Sequence, residues 1–141
     1  MPLTHVDSMK QQTIAALQCL HAALEHLQQA ASDKALQDIL EDAVVKRFEV
    51  LFEYVWKLLK AAAEYQGVEA PGPRPAIREG VRFGWITDPD FWAVALDARN
   101  GSVHDYFGML MSEYLKLIVR FAQETSTLLD KLSQSFDRAR R

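Results

Sequence analysis

At 141 residues, with 49% apolar and 25% charged side chains, the chain is sized and composed for a single globular domain over 1–141. A formal charge of −3 and a pI near 5.8 exclude a global positive field for DNA or RNA, so any nucleic acid must be met by a local patch. The lone Cys19 excludes an intramolecular disulfide and a cysteine-built zinc site, and no apolar run nears the roughly 20 residues of a membrane span.

Between residues 7 and 31, Ile14, Leu17, Leu20, Leu24 and Leu27 recur at helical spacing among Gln, His and Glu. They predict a first helix capped at Asp7-Ser8. Ser32-Asp33 supplies a stop and a fresh N-cap. The second helix is predicted over 34–66 and closed by Gly67. Its stripe is Leu36, Leu40, Val44, Phe48, Leu51, Val55, Leu58 and Leu59. At about 1.5 Å per residue it would run on the order of 45–50 Å. The stretch "GVEAPGPRPAIREG" follows as a loop inside the domain, and a short helix over 75–83 ends at Gly84. Asp88-Pro89 starts the next helix, with Asp as N-cap and Pro at the first helical position; it buries Phe91, Trp92, Val94 and Leu96 and stops at Asn100-Gly101. A last long helix over 108–138 carries Leu110, Tyr114, Leu117, Ile118, Phe121, Leu128, Leu129, Leu132 and Phe136. Its basic end, "FDRARR", complements the helix dipole. No segment reads as a strand. The expected fold is all-α, an up-and-down four-helix bundle with one or two short extra helices. The start of the chain lacks the basic-then-apolar order of a signal peptide, so a cytoplasmic protein with no membrane role is expected.

The segment "DARNGSVHDY", residues 97–106, interrupts this helical pattern. On an unbroken helix Arg99 and His104 would point about 140° apart and could not meet one ligand. Asn100 and Gly101 tolerate the left-handed conformation that ends helices, so the chain can turn there. Arg99 then lies in the last turn of one helix and His104 just before the next. Both can face a spot shared with the free N–H groups of the incoming helix, where an anion fits. Arg offers a forked charge for phosphate, and His a proton donor or acceptor near neutral pH. The alternative is structural: Arg99 paired with Asp97 or Asp105, and His104 capping a helix.

Arg99-Asn100-x-x-x-His104-x-Tyr106 resembles the Arg–x4–His–x–Tyr motif of HEPN domains. Around it the chain is similar to the nucleotidyltransferase substrate-binding proteins, relatives of HepT toxins. The resemblance rests on Arg47-Phe48-Glu49, Phe52-Glu53 and Trp56-Lys57-x-Leu59, then Ile77-Arg78-Glu79, Gly84-Trp85-Ile86, Asp90 and Trp92. It covers 36–130. It implies a homodimer whose two Arg–His motifs meet in a cleft at the symmetry axis. It also implies a separate-chain minimal nucleotidyltransferase as partner. The apolar run Phe107-Gly108-Met109-Leu110 departs from the polar stretch usual in the family.

In HEPN nucleases the ribose 2′-OH attacks its own phosphate without a metal, His moves the proton, and Arg stabilises the charge on phosphorus. Arg99 and His104 are therefore the expected catalytic pair, with no cofactor and no metal. Asn100 either orients the phosphate or merely ends a helix. Ser102 either binds or makes a local turn. Tyr106 either accepts a nucleotidyl group from the partner, as the resemblance implies, or packs at a core or dimer interface. Arg47, Glu49, Glu53 and Lys57, at spacings of two or four, are read as roughly one helical face. Glu49 and Glu53 repel unless cations approach from elsewhere, for instance Arg99 or a dimer mate, so Arg47 and Glu53 are candidate cleft lining, or else solvated surface. His21 and Glu25 have i,i+4 spacing but lack a third metal ligand.

The fragment "GSVHDYFG" resembles the opening of a nucleotidyltransferase site, but no Asp-x-Asp follows, so the chain is not the transferase. The first expectation is a substrate-binding or regulatory subunit of a minimal nucleotidyltransferase, with a cleft for nucleotide or RNA phosphate. The second is a metal-independent ribonuclease toxin neutralised by that transferase. The acidic balance leans toward the first, because RNA affinity draws mainly on phosphate contacts. A purely structural bundle is the third.

Overall fold

The computed structural model describes residues 3–30, 32–101 and 110–139. They form five helices, α1 Leu3–Gln29, α2 Lys34–Tyr65, α3 Pro73–Arg82, α4 Pro89–Gly101 and α5 Met111–Ala139, with no strand among the described residues. The protein is all-α. None of these helices is long and apolar enough to cross a membrane.

The ends of the helices follow from a few residues. Asp33, in extended conformation, accepts a bond from the Leu36 N–H at 3.1 Å and so caps α2. Asp88 does the same for α4 through the Phe91 N–H, at 3.1 Å. At the far end of α2, Gly67 has φ +85°. The Val68 N–H reaches the Ala63 carbonyl at 3.0 Å and the Gly67 N–H reaches Glu64 at 2.9 Å. That paired closure recurs after α3, where Gly84 has φ +80° and the Trp85 N–H reaches Gly80 at 2.9 Å.

Side-chain pairs fix the directions. The Thr13 hydroxyl lies 3.4 Å from the Tyr54 carbonyl, while Cys19 shares a groove with Arg47, so α1 and α2 are antiparallel. Lys10 bonds Ser133, and Leu27 lines a groove with Leu115, so α1 and α5 are antiparallel too. Arg120 pairs with Asp88 and the Tyr114 hydroxyl donates to the Ala98 carbonyl at 3.3 Å, which sets α4 against α5 in the same way. Hence α1, α2, α4 and α5 run up, down, up and down. The short α3 lies antiparallel to α4, with Arg74 near Asp97 and Val81 near Pro89. Gly80 lets α3 lie close on α2: a Cβ there would sit 2.8 Å from Ile86 Cδ1 and 3.1 Å from Leu59 Cδ2.

The core is built around Phe121 of α5, whose ring meets Phe48 and Phe52 of α2 at 5.3 and 5.2 Å and Trp92 of α4 at 5.1 Å. Two threonines are buried, Thr13 and Thr125, and each hydroxyl donates to the carbonyl four residues back, Met9 or Phe121, at 2.8 Å.

Several sequence expectations need correction. Helix α1 begins before Asp7-Ser8, because Val6 and Met9 are drawn into the core and carry the helix back to Leu3. Helix α3 begins at Pro73, two residues before the expected start. Leu36, Val94 and Leu110 are exposed rather than buried. Leu36 lies in the first turn of α2, ahead of the core that starts at Val44. Leu110 lies just before α5. Val94 sits about 200° around α4 from the buried Trp92.

Candidate functional site

Helix α2 presents Glu53, Trp56 and Lys57, and spacings of three and four place them on one turn-to-turn surface. Helix α4 delivers Arg99 in its last turn. The two helices meet there. Arg99 Nη2 donates to Glu53 Oε2 at 3.0 Å, and the Trp56 indole N–H donates to the same oxygen, also at 3.0 Å. Lys57 Nζ lies 3.4 Å from the other oxygen, Oε1. Asn100 Oδ1 accepts from Arg99 Nη1 at 3.4 Å. The Glu53 and Arg99 side chains are each 36% exposed, so the pair is packed on one side and open to solvent on the other.

The electrostatics answer the Glu49–Glu53 repulsion. Burial pushes the Glu53 carboxyl up, but the Trp56 hydrogen bond and the Lys57 and Arg99 cations outweigh it and hold the group below its ordinary value. Glu53 is therefore ionised at neutral pH and accepts from one nitrogen of the Arg99 guanidinium. Tyr114, wholly buried, adds a support that the sequence did not suggest: its hydroxyl grips the Ala98 carbonyl, one residue before Arg99. Trp56 was legible only as a motif residue, although its i,i+3 spacing to Glu53 was the available signal.

The other sequence candidates fall in different places. Asn100 is exposed at the end of α4, beside Arg99. Ser102, His104 and Tyr106, with Asp105, lie outside the described residues, and with them the turn expected to bring His104 to Arg99. Asp97 pairs with Arg74 of α3 at 3.6 Å. Arg47 does not share the Glu53 face. Six residues earlier on α2, it is about 120° around the helix. There it lines a groove of about 240 Å³ with Gln12, Cys19 and Tyr54. His21 and Glu25 border an open groove with Leu24, Leu27, Leu115 and Val119. Among the described residues no three His, Cys, Asp or Glu side chains cluster to hold a metal.

What the described part offers chemically is a planar cation, half-buried in the last turn of α4 and paired with Glu53, of the kind that binds a phosphate or a developing negative charge. Two comparisons bear on its use. The family described as "Nucleotidyltransferase substrate binding protein like" matches residues 15–134, a span that contains all of these groups. The curated protein "Probable ribonuclease HepT" of Haemophilus influenzae is 30% identical over 104 residues, covering 70% of this chain and 71% of that protein.

Proposed function

Because the chain belongs to the nucleotidyltransferase substrate-binding family of HepT-like HEPN proteins, we propose that it is a metal-independent endoribonuclease regulated by a separate minimal nucleotidyltransferase. The observation that carries the reading is Arg99: a guanidinium oriented by Glu53 and Asn100 at the open end of α4, five residues before His104. In this reading His104 takes the proton from a ribose 2′-OH, whose oxygen attacks the adjacent phosphorus. The P–O bond to the next nucleotide breaks, leaving a 2′,3′-cyclic phosphate and a 5′-hydroxyl. An imidazolium returns the proton to the departing oxygen, a role supplied by the same motif of a second copy in a homodimer. Arg99 stabilises the charge that builds on the phosphoryl oxygens. Tyr106 accepts the partner's nucleotidyl group: its phenolic oxygen loses its proton to solvent and attacks the α-phosphorus of a nucleoside triphosphate, the bond to the β-phosphate oxygen breaks and pyrophosphate leaves, and the added group brings bulk and negative charge to the motif.

A second reading, a substrate-binding subunit without cleavage, is favoured by the net charge of −3. One experiment divides them. Purified protein is incubated with single-stranded RNA in EDTA beside His104→Ala and Arg99→Ala variants. Cleavage by the parent, none by His104→Ala and a loss of about 10²–10³ in rate for Arg99→Ala support the ribonuclease. No cleavage by the parent overturns it in favour of the binding subunit.

A further inference from the structure

We propose that the groove between α3 and α4 is a docking track for the phosphate backbone of single-stranded RNA. As an approach to Arg99 this rests on the ribonuclease reading; as a binding site it stands apart from it. Helix α3 is a two-sided element. Ala76, Ile77 and Gly80 are buried against the bundle, while Arg74, Arg78 and Arg82 form a stripe on the other side at spacings of four. Each step along that stripe rises about 6 Å and drifts only about 40°, so three cations stand in a line of about 12 Å.

The line borders a groove of about 410 Å³ floored by Ile77, Val81, Pro89, Ala93 and Leu96. Arg78 is exposed, and among the described residues no carboxylate pairs with it. Arg74 and Arg82 do have partners, Asp97 at 3.6 Å and Glu79 at 2.7 Å, but both arginine side chains remain 60% exposed. The Arg74–Asp97 pair is exposed on both sides and contributes little, so Arg74 can turn to a phosphate, whereas Arg82 is held more firmly because Glu79 is only 19% exposed. Arg82 is also held over the Phe83 ring, 5.0 Å from its centroid, which orients its planar fork.

The direction of the track matters. Arg82 stands at the α4 N-terminal end of the groove, and Arg74 stands beside Asp97 near the C-terminal end. Asn100 lies on the same side of α4 as Ala93 and Leu96, and it contacts Arg99. The stripe thus leads from Arg82 through Arg78 and Arg74 toward the Arg99 end. Evenly repeated cations suit a polyanion with one charge per repeat. The apolar floor gives bases a place to leave water. An acidic protein segment could match the spacing, about 6.6 Å between alternate side chains of an extended chain, but it brings no planar apolar groups for the floor.

The test measures binding of a fluorescein-labelled 20-nucleotide oligouridine by anisotropy, in EDTA, on the full chain carrying His104→Ala so that cleavage cannot intrude. Arg78→Ala, Arg74→Ala/Arg78→Ala and the control Lys34→Ala are compared across a salt series, with circular dichroism to check folding. Binding is expected to weaken about 5–10-fold for Arg78→Ala and further for the double variant. The slope of log K against log salt should shrink by about 0.7 for each phosphate that no longer meets a cation, and the control should be unchanged. In a chain that does cleave RNA, Arg78→Ala raises KM and spares kcat, whereas His104→Ala abolishes kcat. Absence of cleavage therefore sinks the ribonuclease reading without touching the binding result. Equal affinity and slope in all variants overturns the track. So does a polyglutamate peptide that binds in an Arg78-dependent way while the oligouridine does not.

Discussion

Both carboxylate oxygens of Glu53 are engaged, one by Trp56 and Arg99 and the other by Lys57. With the side chain more than a third exposed, the charge itself contributes modestly, and Glu53→Gln should cost less than about 1 kcal/mol in urea unfolding at neutral pH. The sign of the pH dependence follows from the shift. The folded-state value is lowered, so the stabilisation is complete above the ordinary glutamate value of 4.5 and is lost as pH falls through the lower folded value. The gap between parent and variant should therefore narrow as pH falls below 4.5, and a gap that stays constant all through the acid range would trace it to something other than the charge. The meeting of Glu53 with Arg99 was partly legible, because two glutamates four apart on a helix call for a cation from elsewhere. Arg99 was one of the two cations the sequence offered, a dimer mate being the other; spacing alone did not choose between them, since Arg99 lies 46 positions away and packing brings it to Glu53. Arg47 shows the limit of reading spacings alone: a step of two on a helix is half a turn, not a shared face.

Helices are where the sequence spoke most clearly, and it spoke through punctuation. Asp33, Asp88-Pro89, Gly67 and Gly84 each mark an end because each satisfies backbone groups that the helix itself cannot. Asp33→Ala removes the acceptor for the Leu36 N–H and should cost about 1 kcal/mol in urea unfolding, with Asp33→Asn close to the parent. Equal stability of Asp33→Ala and the parent would show that water replaces the cap without penalty. The start of α3 was harder to read. Pro73 and Pro75 both fall in its first turn, where a missing N–H is harmless, so Pro73, which looks like loop, is already helix. The start of α1 was misplaced for a related reason. Asp7-Ser8 has the chemistry of a cap, but burial of Val6 decided otherwise.

At the scale of the whole molecule, Phe121 joins α2, α4 and α5, and Phe121→Ala should cost about 3–5 kcal/mol. That is a large part of the roughly 5–15 kcal/mol typical of a domain, so the urea midpoint should fall steeply, and a drop under about 1 kcal/mol would mean the rings are not the keystone of the bundle. The up-and-down order was legible from helix lengths and modest connections. The direction of α3 was not: antiparallel to α4, it runs the same way as α2, because the loop over 66–72 carries the chain back before α3 begins. On α2, three successive alanines, Ala61, Ala62 and Ala63, are all buried. Neighbours about 100° apart sweep about 200° of circumference, so that turn is walled in on most sides. Toward the other end of the same helix the packing thins among the described residues, and Leu36 and Ile39 keep 43% and 65% of their surface in solvent.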